Sequence, residues 1–244
     1  VIHISQLTVY YKQLLALDDI NVEIKEGEMV AIVGANGAGK STLLKSIMGQ
    51  INAQYGQVTF SRHGLKQIAY LPQSQMIERQ FPITVKEFVA AGSWRKTGIF
   101  KRFTQDLLKQ LSHCLEQVGL AQSEQKQISE LSGGQFQRML FARMLMQDAE
   151  ILILDEPFNS VDMQTTRDLM KVINDCHQAG KTVIAVVHDL PLVKQFFPEV
   201  LMIAKSIVAK GPTHQTLSEN NLSAVGFQLT NNCIDEHLVC EGVC

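Results

Sequence analysis

Apolar positions along the chain follow two different periods. Ile20, Val22 and Ile24 alternate with polar residues, as on a strand with one wet face. After a turn at Glu26-Gly27-Glu28, the run MVAIV at 29–33 is apolar without a break, which reads as a central parallel strand covered on both faces. Apolar strands return at 151–154, 182–187 and 199–203, and shorter ones are predicted at 57–60 and 67–71. The segment TLLKSIMG at 42–49 has helical apolar spacing and ends on Gly49, a helix with its C-cap. From about 76 to 147 the chain is rich in Gln, Lys and Leu and reads mostly as helix, and an amphipathic helix is predicted over 164–178. Residues after 212 read as a polar, weakly patterned tail. There is no internal repeat. The pattern is that of an α/β core interrupted by a helical insertion.

Composition narrows this picture only a little. With 244 residues, 45% hydrophobic and 19% charged, the chain suits one large domain or two interlocked ones. A net charge of −2 and a pI near 6.4 predict no general attraction to nucleic acid or to an anionic membrane. No apolar run approaches the ~18–20 residues that span a bilayer. The N-terminal VIHISQLTVYY lacks the basic region and apolar stretch of a signal peptide, and Val1 suggests an initiator Met removed or not included. Five cysteines, three of them in the last dozen residues, predict a reducing cytosol and no disulfide framework.

Candidate chemistry begins at residues 34–42, GANGAGKST, between a predicted strand and a predicted helix. Gly34, four intervening residues, then Gly39-Lys40-Ser41 match a phosphate-binding loop in the context that such a loop requires. Glycines let the backbone curl until successive N–H groups face phosphate oxygens, and the following helix N-terminus adds its positive end. Gly34, Asn36, Gly37, Gly39, Lys40, Ser41 and Thr42 are therefore the expected nucleotide contacts. Lys40 is placed to reach the β- and γ-phosphates of ATP, and the Ser41 hydroxyl to coordinate Mg²⁺. A dinucleotide loop is disfavoured because the chain has no G-x-G-x-x-G.

ILILDEP at 151–157 is a strand ending in two acids, and in such folds the carboxyl ends of the strands meet the ligand. Asp155 is placed to hold Mg²⁺ and Glu156 to orient or deprotonate the attacking water. A solvated acidic turn is the plain alternative. His188 also ends an apolar strand, on the same sheet edge, where it could contact the γ-phosphate.

Residues 131–135, LSGGQ, add the feature that names a family. A phosphate loop, then LSGGQ, then a strand ending in DE, then a strand ending in His resembles the ATP-binding subunit of an ABC transporter, over about residues 1–212. The resemblance implies a P-loop NTPase (RecA-like) α/β core with an N-terminal antiparallel β-subdomain, in 1–75 and 148–212, and an inserted α-helical subdomain, 76–147. Residues 213–244 are left as a C-terminal tail. It also implies a head-to-tail homodimer in which ATP lies between the loop of one subunit and Ser132, Gly133, Gly134 and Gln135 of the other. Tyr11 fits the aromatic that stacks on adenine, with Tyr10 adjacent. Gln73, in YLPQ, fits the glutamine that contacts Mg²⁺ and the lytic water and links the site to the membrane partner. Asp162 fits a loop that crosses the dimer interface, although a helix N-terminal acid explains it equally well.

A transport role requires separate integral membrane permease subunits and, for an importer, an extracytoplasmic substrate-binding protein; the ATPase then sits in the cytoplasm on the inner face of the membrane. The segments 70–92, 98–107 and 154–166 resemble the ATPases of zinc and manganese importers. Haem and siderophore importers are the nearest rival, and a soluble ABC ATPase without a transport role is the alternative class. The basic stretch Arg95, Lys96, Lys101 and Arg102 beside Trp94 faces the membrane, a partner or plain solvent.

The chain ends NNCIDEHLVCEGVC, with Cys233, His237, Cys240 and Cys244 spaced as one helical stripe. Thiolates and an imidazole suit zinc, but four ligands on one straight helix cannot surround a tetrahedral ion. A bend near Gly242 or a second chain would be needed. An apolar stripe or a disordered end are the alternatives.

Overall fold

The computed structural model describes residues 1–61, 67–94, 104–159 and 161–227. Strand β1 (Ile2–Tyr11) pairs antiparallel with β2 (Leu14–Ile24). β3 (Met29–Val33) follows, then the phosphate loop and helix α1 (Lys40–Ile47). β4 (Tyr55–Phe60) pairs antiparallel with β1 and completes a sheet ordered β2-β1-β4. β5 (Ile68–Leu71) lies on the edge of the second sheet. Helices α2 (Val85–Ala90), α3 (Gln105–Gln117) and α4 (Gly133–Met146) come next. The chain then alternates β6 (Ile151–Asp155), α5 (Met163–Gln178), β7 (Thr182–Val186), α6 (Leu190–Phe196) and β8 (Glu199–Ala204). β9 (Ser206–Pro212) and two short helices, α7 (Thr213–Thr216) and α8 (Glu219–Ala224), end the described chain.

The second sheet runs β5-β6-β7-β3-β8-β9, parallel except for β9. Its central strands explain their own sequences. On β3, Met29, Ala31 and Val33 enter one core while Val30 and Ile32 enter another. β7 divides likewise, with Val183 and Ala185 on one side and Ile184 and Val186 on the other. With both faces buried the runs are nearly continuous rather than alternating, and the one polar position, Thr182 at the start of β7, accepts from Gly27 N–H at 2.9 Å. One core joins this sheet to α1 and the antiparallel sheet through Leu17, Ile20, Ile24, Leu43 and Ile47.

The other core passes without a break from the sheet into the helical region. Val85, Leu111, Phe136 and Phe141 share it with Leu152 and Leu169. Three of the helical starts are fixed locally by hydroxyl N-caps. Thr84, Thr104 and Ser132 each accept a hydrogen bond from a first-turn N–H, and Thr84 and Ser132 form full capping boxes with Glu87 and Gln135.

The stretch after 212, read from its sequence as a polar, weakly patterned tail, begins with two short helices packed on the core. Thr213, Thr216, Leu217, Leu222 and Val225 are buried, and the Thr213 hydroxyl donates to the Phe197 carbonyl at 2.6 Å. The Val225 carbonyl accepts from Ala35 N–H at 3.1 Å, which ties this segment to the phosphate loop. The polar pattern misled because two helices this short bury only a few side chains between their exposed ones. Among the described residues, no helix is long and apolar enough to cross a membrane.

Candidate functional site: a cleft built around the phosphate loop

The loop leaves the carboxyl end of β3 and turns into α1. Gly39, at φ +98°, occupies the cap of that helix, and a Cβ there would come within 2.6 Å of the Ala16 carbonyl. No side chain caps the first turn of α1, so its N–H groups remain available to an anion. Gly34 is required for a different reason. A Cβ on it would meet the Ile203 carbonyl of β8 at 2.2 Å.

The loop forms the floor of a cleft of about 280 Å³ lined by Asn36, Gly37, Gly39, Lys40, Ser41 and Thr42, with Tyr11, Leu14–Ala16, Lys205 and Glu156 around it. Tyr11 is 46% exposed and belongs to this lining, whereas Tyr10, 37% exposed, does not. Lys40 Nζ donates to the carbonyls of Gly34 and Ala35, each at 2.8 Å. Burial pulls the Lys40 ammonium below its ordinary pKa, partly offset by the charges of Glu156 and Asp155.

Asp155 ends β6 with only 1% of its surface exposed. Its Oδ1 accepts from the Ser41 hydroxyl at 3.5 Å and its Oδ2 from the Tyr70 hydroxyl at 3.4 Å. Burial first, and then the charge of Glu156, raise the Asp155 carboxyl above its ordinary range. The Tyr70 phenol is pushed up to about 12 by burial and by Asp155. Ser41 and Asp155 thus bring a hydroxyl and a carboxylate together at the rim of a phosphate loop, a hard oxygen donor set that fits Mg²⁺.

Glu156 follows in a left-handed conformation, φ +52°, uncommon for a residue with a side chain. Its N–H donates to the Val186 carbonyl at 3.2 Å, so β7 carries the turn. Glu156 Oε1 lies 2.8 Å from His188 Nε2, and its Oε2 accepts from the Asn159 amide. His188 does not line the phosphate-loop cleft. It lines a neighbouring cavity of about 300 Å³, and Glu156 is common to both. Gln73 is half-buried at the start of a short turn, Ser74–Met76, after β5, and also lies outside the cleft lining.

The LSGGQ residues are not brought to the loop of their own chain, since none of them lines that cleft. Ser132 caps α4: its Oγ accepts from Gln135 N–H at 3.3 Å, and Gln135 Oε1 accepts from Ser132 N–H at 3.1 Å. The motif is therefore a helix start with glycines in its first turn, where N–H groups lack intrahelical partners. Asp162 caps α5, accepting from Thr165 N–H at 2.8 Å and from its hydroxyl at 2.7 Å. Those bonds hold its carboxyl below the ordinary pKa, so the helix-cap reading accounts for its local contacts.

Sequence reasoning passed over Tyr70, Asn159 and Lys205. Tyr70 carried a readable signal, because it sits near the carboxyl end of β5, which pairs with β6 directly beside Asp155. Lys205 carried none: it reaches the cleft from the turn between β8 and β9. Cys233, His237, Cys240 and Cys244, together with Arg95, Lys96, Lys101 and Arg102, lie outside the described residues.

Residues 17–159 match the family model for the ABC transporter. The chain belongs to the ABC transporter family. It is an ABC-type ATP hydrolase, as the order of its motifs implies. Its similarity to a manganese transport system ATP-binding protein of Listeria innocua is 42% identity over 224 residues, 90% of this chain and 93% of the relative. A zinc transport system ATP-binding protein of Treponema pallidum is 38% identical over 222 residues, covering 89% and 84%. Among solved structures, a dimeric bacterial ABC transporter cassette superposes with a TM-score of 0.77 at 25% identity, over 87% of this chain and 99% of that one.

Proposed function

We propose that the chain powers a divalent-metal importer, hydrolysing ATP as a homodimer beneath separate membrane permease subunits on the cytoplasmic face. Similarity along nine-tenths of the chain to a manganese and a zinc system ATP-binding protein carries this reading. It also favours manganese or zinc over haem or siderophores as the cargo. An extracytoplasmic binding protein would deliver the metal.

In this reading Asn36, Gly37, Gly39 and Thr42 hold the phosphates through the loop, and Lys40 exchanges the Gly34 and Ala35 carbonyls for β- and γ-phosphate oxygens. That exchange sets phosphate oxygens directly against an ammonium whose pKa burial lowers despite the nearby charges of Glu156 and Asp155. Tyr11 stacks on the adenine. Ser41, Asp155 and Gln73 would hold Mg²⁺. The ion, when bound, neutralises charge developing on the transferred phosphoryl group. Glu156, held between His188 and Asn159, orients the attacking water and takes its proton. His188 meets the γ-phosphate from beside Glu156. Ser132, Gly133, Gly134 and Gln135 present the open first turn of α4 to the γ-phosphate held by a second copy, and Asp162 follows that junction. The tail residues Cys233, His237, Cys240 and Cys244 would bind zinc as a sensor of cytosolic zinc.

The test is uptake by vesicles that contain the chain and its permease. Manganese or zinc should accumulate with ATP and not with a Glu156→Gln variant. Haem accumulation in place of either metal would overturn the assignment of cargo.

A further inference from the structure

Gln137 is a long polar side chain of α4 buried to 2% exposure, between Phe136 and Arg138. Its Nε2 donates to the Pro157 carbonyl at 2.7 Å, one residue beyond Glu156. A buried amide normally has a partner, and here the partner belongs to the turn that aims the hydrolytic carboxylate.

The contact is one of three on a single face of α4. Gly134, Gln137 and Phe141 stand at i, i+3 and i+7. A Cβ on Gly134 would meet the Thr165 hydroxyl at 3.1 Å and Asp162 Oδ2 at 3.4 Å. The Phe141 ring stacks on Phe158 with centroids 6.4 Å apart. This face therefore rests on Pro157, Phe158, Asp162 and Thr165, and the first turn of the same helix is the capped LSGGQ start. Of the three contacts, only that of Gln137 is a hydrogen bond and so depends on direction as well as distance. A shift of α4 changes the donor's direction and acts on the backbone next to Glu156, which already holds φ +52°.

We propose that Gln137 is a positioning residue that couples the two ATP sites of a dimer. Nucleotide held by a second copy docks on Ser132–Gln135 of α4, and the bond from Gln137 to Pro157 carries that docking to Glu156 of the same chain. This rests on the shared-site reading above.

The test compares the wild type with Gln137→Met, which keeps length and apolar volume but has no donor. The expected result is a kcat lowered by roughly tenfold to a hundredfold, with KM for ATP unchanged and the ATP-dependent dimer of a Glu156→Gln background still formed. An unchanged kcat would overturn the coupling. So would parallel losses in kcat, ATP binding and thermal stability, which would make Gln137 a packing residue only. Gln137→Glu decides the matter independently, including where the Met variant fails to fold. A protonated carboxyl can donate to the Pro157 carbonyl and a carboxylate cannot, so its activity relative to wild type should rise as pH falls. A flat ratio at constant folded fraction would overturn the proposal. A wild type without ATP-dependent dimerisation would instead sink the shared-site reading itself.

Discussion

At the residue scale, the site pairs groups whose environments oppose their charges. The Asp155 carboxyl is raised by burial and by Glu156, so the folded chain holds a proton there more tightly than the unfolded chain does. Stability is therefore lost as pH rises from the ordinary carboxylate range through the folded-state pKa of Asp155, and it stays low above that. Asp155→Asn should raise the melting temperature of the nucleotide-free protein at neutral pH and abolish turnover. The gain should vanish on acidification, when the wild-type group is neutral as well; thermal melts across pH check this. The two adjacent tyrosines separate cleanly. Tyr11 lines the cleft and Tyr10 does not, so Tyr11→Ala should weaken ATP binding about tenfold, the scale of one base-stacking contact of ~1–3 kcal/mol. Tyr10→Ala should leave the affinity unchanged, and titration with a fluorescent ATP analogue distinguishes the two. Sequence alone left the choice open because neighbours on a strand point to opposite faces, and which face meets the ligand is set by tertiary packing.

At the scale of elements, legibility followed burial. β3 and β7 were readable because both of their faces are covered and every position but Thr182 is apolar. β9 was not, because it lies on an edge, half-buried, with Lys210 and Gly211 in its length. Helices α7 and α8 were lost for a similar reason, each giving the core only one or two of its own residues. The phosphate loop was legible from residue types and spacing, since close backbone approach at Gly34 admits no side chain. Gln137 was not, because a glutamine inside a helix has no signal until its partner, the Pro157 carbonyl, is known. The LSGGQ start combines two roles that substitution can separate. Ser132→Ala should cost about 1 kcal/mol in unfolding free energy through the lost cap. Ser132→Asp should keep the cap, and with it the stability, yet lose ATP turnover because a carboxylate opposes a γ-phosphate. Denaturant unfolding read beside phosphate release distinguishes the cap from the ligand contact.

At the scale of the whole molecule, the two halves of the chemistry sit apart. The cleft holds the loop, Tyr11 and Glu156, while Ser132–Gln135 line no part of it. One subunit therefore presents a phosphate floor without the helix start that would close over it. In the proposed reading this is the geometric reason for a head-to-tail pair, whose opening and closing a permease turns into transport. Mixing two inactive variants tests that claim most directly. Lys40→Ala removes the loop's ammonium but leaves LSGGQ intact, and Ser132→Arg blocks LSGGQ but leaves the loop intact. Each alone should fail to hydrolyse ATP. If the site is shared, mixed dimers contain one intact composite site and phosphate release should reappear on mixing. If mixing restores nothing while the mixed dimers demonstrably form, each chain completes its own site and the shared-site account is wrong.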